Sequence, residues 1–286
     1  MTDLQKSIIS YYDNTWFDYR VLWLNKRDRA VHFGYYETFT ETHSQALKKL
    51  NLILAQKVNI MAADHVLDAG CGQGGSTFWV AENIGARVTG ITLVPHQVEI
   101  ARREAESRAL TSLVDFSIQD YTQTIFDDAS FDVVWACESL CHAGRKKDFY
   151  REAYRLLKPG GRLVIAEYIR RGRNLAVEDE AILQTWCSGW SMPDLDTWDE
   201  HWSSMQEAGF TDIDPKDVTA HVSPSLNKLF KMSKSLLGLG KFLHFTKIRN
   251  DVMHGNQVAS VAQFEALSRN LWYYCIYSAT KPTVPL

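Results

Sequence analysis

Residues 65–93 read HVLDAGCGQGGSTFWVAENIGARVTGITL, and no other stretch of the chain restricts the fold so tightly. A short apolar strand runs through Asp68 into glycines at 70, 72 and 74; a helix from about Gly74 to Asn83 and a second strand at 86–92 follow. Glycine lets the backbone turn sharply and come close to a ligand, and a strand–turn–helix of this kind aims the helix N-terminus at whatever lies over the turn. Dinucleotide sites are built this way, and so are sites for other nucleotide-like cofactors. The spacing here is D-x-G-x-G-x-G, which puts an acid beside the loop. That suits a ligand carrying a positive charge or an ammonium group better than a pyrophosphate.

The same alternation continues. LVDFSI at 113–118 and SFDVVWA at 130–136 read as strands, the second a near-continuous apolar run of the kind buried on both faces. A helix from about Pro95 to Ala109, with proline in its first turn, and an amphipathic helix KKDFYREAYRLL separate strands from one another. KPGG at 158–161 reads as a turn and RLVIAEY as a fifth strand. Strands alternating with helices predict a parallel sheet with right-handed crossovers. The end of the chain departs from this rhythm: a helical stretch around 175–190, the amphipathic WDEHWSSMQEAGF, then two further strands, TDIDPKDVT and LWYYCIYSA. The roughly fifty residues between those strands are too many for a hairpin loop. They read as a mostly helical cap over the sheet's C-terminal edge, where open α/β sheets bind ligands. Residues 1–60 read as aromatic-rich helices broken by HFGYYE at 32–37. The expected division is a helical lid segment at 1–60 and an α/β domain at 61–286, with cap insertions at about 172–200 and 221–268.

A chain of 286 residues, 45% of them hydrophobic, is long enough for a sizeable core. Its formal net charge of -3 argues against bulk attraction to nucleic acid. The five cysteines show no CxxC pair and no metal-like spacing, so no metal site is expected and the thiols read as reduced. The N-terminus lacks a long apolar stretch, and no run of about 18 apolar residues occurs. The expectation is a cytoplasmic protein without a membrane span; a homo-oligomer stays open.

Over 65–168 the chain resembles the class I S-adenosylmethionine-dependent methyltransferases. The resemblance rests on VLDAGCGQG, DYTQTIFDDASFDVVWACESLCHA and LLKPGGRLVIAEY. It implies a Rossmann-like, seven-stranded α/β fold, mostly parallel with an antiparallel last strand, and S-adenosyl-L-methionine as cofactor. It also implies that Asp68, Gly70, Cys71 and Gly72 cradle the cofactor's methionine part. One departure is informative. The family usually carries an acid at the end of the second strand for the ribose hydroxyls, and this chain has Thr92 there. In that respect it is similar to the subgroup of cyclopropane fatty acid synthases and sterol, tocopherol and terpenoid C-methyltransferases, in which a T-L-x-x-x-Q segment does the work. This places Thr92, Leu93 and Gln97 near the ribose. The resemblance further implies Gln119, Asp120 and Tyr121 around the adenine, with Asp120 accepting from the amine and Tyr121 stacking on the base. HFGYYE resembles the subgroup's segment that closes over the cofactor, which implies contacts from His32, Phe33 and Gly34, with Tyr35 facing the acceptor or the methyl group.

Methyl transfer is an in-line displacement that depends on orientation. Oxygen and nitrogen acceptors usually need a general base as well; an alkene acceptor becomes a carbocation, which needs aromatic faces and then a base. The aromatics outside the cofactor half suggest an apolar pocket, with Tyr11, Trp16, Tyr168 and Trp186 as expected acceptor contacts. In WACESLCHA, Glu138 and His142 lie four apart at the mouth of the sheet; Glu138 is the first candidate for proton removal and His142 the second. Glu167, at the end of the fifth strand, is a third. The segment 228–250 carries Lys228, Lys231, Lys234, Lys241, Lys247 and Arg249 and no acid, either as a solvated face or as a contact for an anionic substrate; Arg170, Arg171 and Arg173 are placed to join it.

The leading expectation is methylation, at carbon, of a small apolar isoprenoid or polycyclic acceptor. O- or N-methylation of a natural product, with His142 as base, is the alternative, and fatty-acyl cyclopropanation the third. A non-catalytic partner subunit is disfavoured by the intact glycine loop. A nicotinamide dehydrogenase is disfavoured by Thr92 where its acid belongs and by the lack of a Tyr-x-x-x-Lys.

Overall fold

The computed structural model describes residues 1–23, 28–38 and 40–283. Its middle layer is a seven-stranded sheet of β1 (His65–Ala69), β2 (Arg87–Thr92), β3 (Val114–Ile118), β4 (Phe131–Cys137), β5 (Leu157–Arg170), β6 (Thr211–Asp217) and β7 (Trp272–Thr280), in the order β3-β2-β1-β4-β5-β7-β6. The first five strands pair in parallel; β7 runs antiparallel to both β5 and β6. The seven-stranded, Rossmann-like expectation holds. One local reading changes: KPGG does not precede the fifth strand but lies inside it. Leu157 already pairs with Phe131, and a register shift between Phe131 and Val133 absorbs the extra residues.

The helices are α1 (Asp3–Asp18), α2 (His43–Lys57), α3 (Gly75–Ile84), α4 (Pro95–Ser107), α5 (Lys146–Leu156), α6 (Val177–Gly189), α7 (Trp198–Ala208), α8 (Thr219–Ser235), α9 (Leu237–Phe245) and α10 (Asp251–Ser268). Two apolar cores, one on each sheet face, follow from them. Val133 and Trp135 of β4 turn to the face covered by α2, α3, α6 and α10, while Val134 and Ala136 turn to the face covered by α5 and α7. Both faces being covered is why β4 reads as an unbroken apolar run.

Strand order reverses between β1 and β4, which opens a crevice at their C-terminal ends. Three distant parts of the chain roof it. α1, started by a capping box of Thr2 and Gln5, lies against α10; α8 and α9 complete the cover. An extended segment at 29–36 threads between roof and glycine loop, bonded through Tyr35 N to Ala46 O and Tyr36 N to His221 O, both 2.9 Å. It runs so close to the loop that a Cβ on Gly75 would stand 2.9 Å from Ala30 Cα. The 172–200 region sits differently from the 221–268 region: α6 packs on α10 and buries Trp186 completely, and of this region Trp190 reaches the crevice. Among the described residues, no helix is long and apolar enough to cross a membrane.

Candidate active site

Under the roof lies a cavity of about 460 Å³. Its floor is the row of strand ends. At β1 the chain turns at Gly70 (φ +89°), where a Cβ would stand 2.4 Å from Ser139 Cβ; only glycine fits. A Cβ on Gly72 would meet nothing within 4 Å, so the loop backbone lies open to the cavity. Asp68 is buried and takes the Thr77 hydroxyl at 2.6 Å; burial pushes its carboxyl up to about 6. At β2 the Thr92 hydroxyl donates to Gln97 Oε1 at 2.8 Å, which orients the Gln97 amide. Past β3, Asp120 accepts from Thr122 N (2.8 Å) and Oγ1 (2.6 Å) on one oxygen and from Gln5 Nε2 of α1 (2.7 Å) on the other. The Tyr121 hydroxyl donates to Ser139 O at 2.7 Å. These residues, with Cys71, Leu93, His32 and Phe33, all line the one cavity.

Glu138, directly after β4, has the left-handed backbone (φ +50°) that a side chain of this kind rarely adopts. Its amide, bonded to Ala166 O at 2.8 Å, and its carboxylate hold it there. One carboxylate oxygen accepts from Phe33 N and the Tyr274 hydroxyl, each at 2.7 Å; the other accepts from the Tyr168 hydroxyl. Tyr168 and Tyr274 are cross-strand partners on β5 and β7, so one register brings both hydroxyls to the same acid. Burial lifts the Glu138 carboxyl to about 7 against those three donors. His142 bonds Ser191 O through Nδ1 (3.3 Å) and the Tyr12 hydroxyl through Nε2 (3.0 Å). A carbonyl only accepts, so Nδ1 carries the proton and Nε2 receives the Tyr12 O–H. Burial pushes His142 down to about 4, which keeps it neutral.

Six residues expected at the site lie off the cavity wall. Glu167 neighbours Tyr168 on β5, and side chains alternate along a strand. Its carboxylate therefore turns to the opposite side, where it takes Cys141 N (2.8 Å) and Tyr168 N (2.9 Å). Tyr35 stacks on His221, ring centroids 4.1 Å apart. Gly34 donates its N–H to Ser225 Oγ at 2.8 Å and abuts Ala46. Gln119 bonds Ser117 Oγ (3.0 Å) and Ile125 N (2.9 Å). Trp16 lies against His96 instead of the cavity, because the face of α1 that turns inward carries Ile8, Tyr11 and Tyr12. Trp186 stands behind Tyr168, centroids 5.3 Å apart. Tyr11 does line the cavity, its hydroxyl donating to Asn256 Oδ1 at 2.9 Å. Tyr12 and Tyr274 are site residues that no local motif marks; the one signal in the sequence is that Tyr274 lies in an apolar strand.

The arginines past β5 are committed elsewhere: Arg170 to Glu180 (2.6 Å) and Asp194 (3.0 Å), Arg171 to Asp217 (3.6 Å), Arg173 to Glu200 (2.6 Å). None of the three lines the cavity. Arg249, which does, pairs with both oxygens of Asp18 at 2.9 and 2.5 Å. Among the described residues no three His, Cys, Asp or Glu side chains converge as a metal site.

The cavity fits a cationic adenosyl cofactor on its own terms. Asp68 is a buried carboxylate that meets no cation among the described residues. The His32 ring commits Nδ1 to Phe33 O at 2.7 Å and leaves Nε2 buried without a partner in the cavity wall. The open backbone at Gly72 lets a ligand reach both.

A family model described as a methyltransferase domain matches residues 67–165. The 27-O-demethylrifamycin SV methyltransferase of Amycolatopsis mediterranei is 32% identical over 200 residues, spanning 69% of this chain and 72% of the relative. Among solved structures, the [4+2]-cyclase SpnF is 26% identical with a TM-score of 0.82, covering 99% of this chain and 98% of its own. The geranyl diphosphate C-methyltransferase from Streptomyces coelicolor A3(2), solved with Mg2+, geranyl diphosphate and S-adenosyl-L-homocysteine, has a TM-score of 0.74 at 18% identity, with 98% of each chain covered, and shares the fold. The glycine loop, the seven-stranded sheet and these likenesses agree: the chain belongs to the class I S-adenosylmethionine-dependent methyltransferases and is an enzyme of that family.

Proposed function

We propose that the enzyme methylates a small apolar acceptor, at carbon, of the isoprenoid or polycyclic natural-product class, and that Glu138 receives the proton that leaves. S-adenosylmethionine supplies an electrophilic methyl group on a cationic sulfur. Asp68, Gly70, Cys71 and Gly72 hold its methionine end, with His32 and Phe33 closing over it; Thr92, Leu93 and Gln97 hold the ribose; Asp120 and Tyr121 hold the base. Leu229, Met232, Leu236 and Leu243 of the roof line the other end of the cavity and orient the acceptor. Transfer then depends on placing acceptor and methyl at contact distance.

The observation that carries this reading is the surround of Glu138. Its carboxylate faces a cavity walled by Phe33 and Tyr168, rings 5.9 Å apart. Aromatic faces stabilise the positive charge that an alkene acquires on methylation. An acid lifted to about 7 is matched to taking a proton at neutral pH. Glu138→Gln keeps the shape but not the base. Incubation with methyl-labelled cofactor and an extract of the producing cells should show turnover down at least about a hundredfold, with S-adenosylhomocysteine affinity within about threefold. Normal turnover by this variant would remove Glu138 from the chemistry.

A second reading, methylation at oxygen, rests on the Tyr12–His142 hydrogen bond, a base already joined to a hydroxyl inside the cavity. The rifamycin relative is named for an O-demethylated acceptor. His142→Ala would then remove the larger share of turnover, and fragmentation of the product would place the methyl on oxygen.

A further inference from the structure

The described residues include ten exposed large apolar side chains, and four of them, Leu239, Phe242, Phe245 and Ile248, belong to α9 and the turn after it. Phe242, Phe245 and Ile248 are 61%, 85% and 69% exposed, far more than a packed helix leaves bare. α9 has two distinct faces. Leu236, Gly240 and Leu243, spaced four and three apart, line the cavity; Phe242 and Phe245, three apart, point outward, and Leu239 sits at the rim, lining the cavity and yet 55% exposed.

Charge identifies what the outward face meets. The chain as a whole carries -3, yet residues 218–250 hold five lysines and one arginine and no acid. Lys231, Lys234, Lys241 and Lys247 are exposed. Of the acids beside it, Asp251 lies 3.7 Å from His244 and Asp18 is paired with Arg249. Exposed Phe and Leu on one face of a short helix, with lysines beside them, are the signature of a helix that lies in the interface of an anionic bilayer: rings enter the acyl boundary and ammonium groups stay among headgroup phosphates. A soluble protein partner would be met by apolar residues with few lysines, which protein interfaces deplete.

We infer that α9 docks the enzyme onto an anionic lipid surface, apolar side down, with its inner face forming the cavity wall through which an apolar acceptor passes from the bilayer. The passage rests on the apolar acceptor proposed above; the docking does not. The test therefore reads docking alone, with no acceptor present. The full chain is floated with vesicles of pure phosphatidylcholine and of phosphatidylcholine carrying about one third phosphatidylglycerol. Partition onto the anionic vesicles should exceed that onto the neutral ones at least about tenfold and fall with added salt. Phe242→Ser with Phe245→Ser should lower it at least about tenfold through lost burial, and Lys241→Glu with Lys247→Glu should lower it and remove the salt dependence. Both double variants should keep native S-adenosylhomocysteine affinity, which reports an intact floor. Equal partition onto both vesicle types overturns the inference, as does undiminished binding by both variants. A concentration-dependent dimer in solution that the Phe variant abolishes also overturns it, by assigning the face to a second copy.

Discussion

The floor and the roof of the cavity are built by different means. The floor comes from one continuous stretch, about 65–168, in which each feature is local: a strand end, the residue after it, a turn. It also holds the improbable features, a glycine at φ +89°, a glutamate at φ +50°, and buried carboxyls at 68, 138 and 167. The roof comes from residues 1–23 and 219–268, which meet only in space. Its polar contacts are ordinary: Arg249 with Asp18, Tyr11 with Asn256, Asn250 with Asn14 at 2.6 Å. A rigid, strained floor with an unremarkable lid suits an enzyme whose cofactor is fixed and whose acceptor differs between relatives; a cyclase and methyltransferases share this fold, so the fold alone does not choose the reaction.

The harshest way to break the comparison is Gly70→Ala. The new Cβ would have to clear Ser139 from 2.4 Å with the backbone in a region alanine avoids. Strain and clash together cost about 3 kcal/mol or more. S-adenosylhomocysteine affinity by calorimetry should fall at least about a hundredfold. Met232→Ala in the roof is the larger change in side-chain volume, three heavy atoms lost against one gained, and should leave that affinity within about threefold. If the two variants weaken the cofactor alike, the division into fixed floor and adaptable roof is wrong.

The same division explains what could be read in the sequence. Strand ends, glycine loop and the Glu138–His142 pair follow from spacing along one short segment, and each falls on the cavity wall. Reading failed where a second element decides. Which face of α1 turns inward depends on α10, so the sequence does not separate Trp16 from Tyr12 on the same helix, and it is Tyr12 that lines the cavity. Tyr35 turns away because His221, from α8, offers it a stacking partner. Glu167 differs for another reason: a strand end sets depth but parity sets the side, and Tyr168 owns the cavity side. Tyr274 became relevant only through the antiparallel register of β5 and β7, which no local pattern encodes.

A milder probe uses the floor's buried acids. Burial raises Glu167 to about 8, with the Glu138 charge adding to it, and Glu138 itself to about 7. Both titrate near 4.3 when unfolded. Between those limits the folded chain holds protons that unfolding releases, so stability falls as pH rises from about 4.5 to 8, by up to about 1.4 kcal/mol per unit for each acid. Glu167→Gln should flatten this slope in denaturant titrations at several pH values. A slope that survives Glu167→Gln intact would mean the acid is not held protonated by the fold.

The smallest expected effect tests the joint between the regions. Gln5 works at both ends: its Oε1 takes Thr2 N at 2.8 Å to complete the α1 capping box, and its Nε2 donates to Asp120 at 2.7 Å. Roof helix and floor acid are thereby tied by one side chain. Gln5→Ala costs half a capping box and one part-exposed hydrogen bond, about 0.5–1 kcal/mol of stability. On the assignment of Asp120 to the adenine amine, Gln5 occupies a lone pair on an oxygen the amine would use. Removing it should tighten S-adenosylhomocysteine by about twofold and speed its association, as α1 opens more readily. A tenfold loss of affinity would show instead that Gln5 holds the cofactor directly, and α1 would then belong to the fixed floor although it is a hundred residues away in the chain.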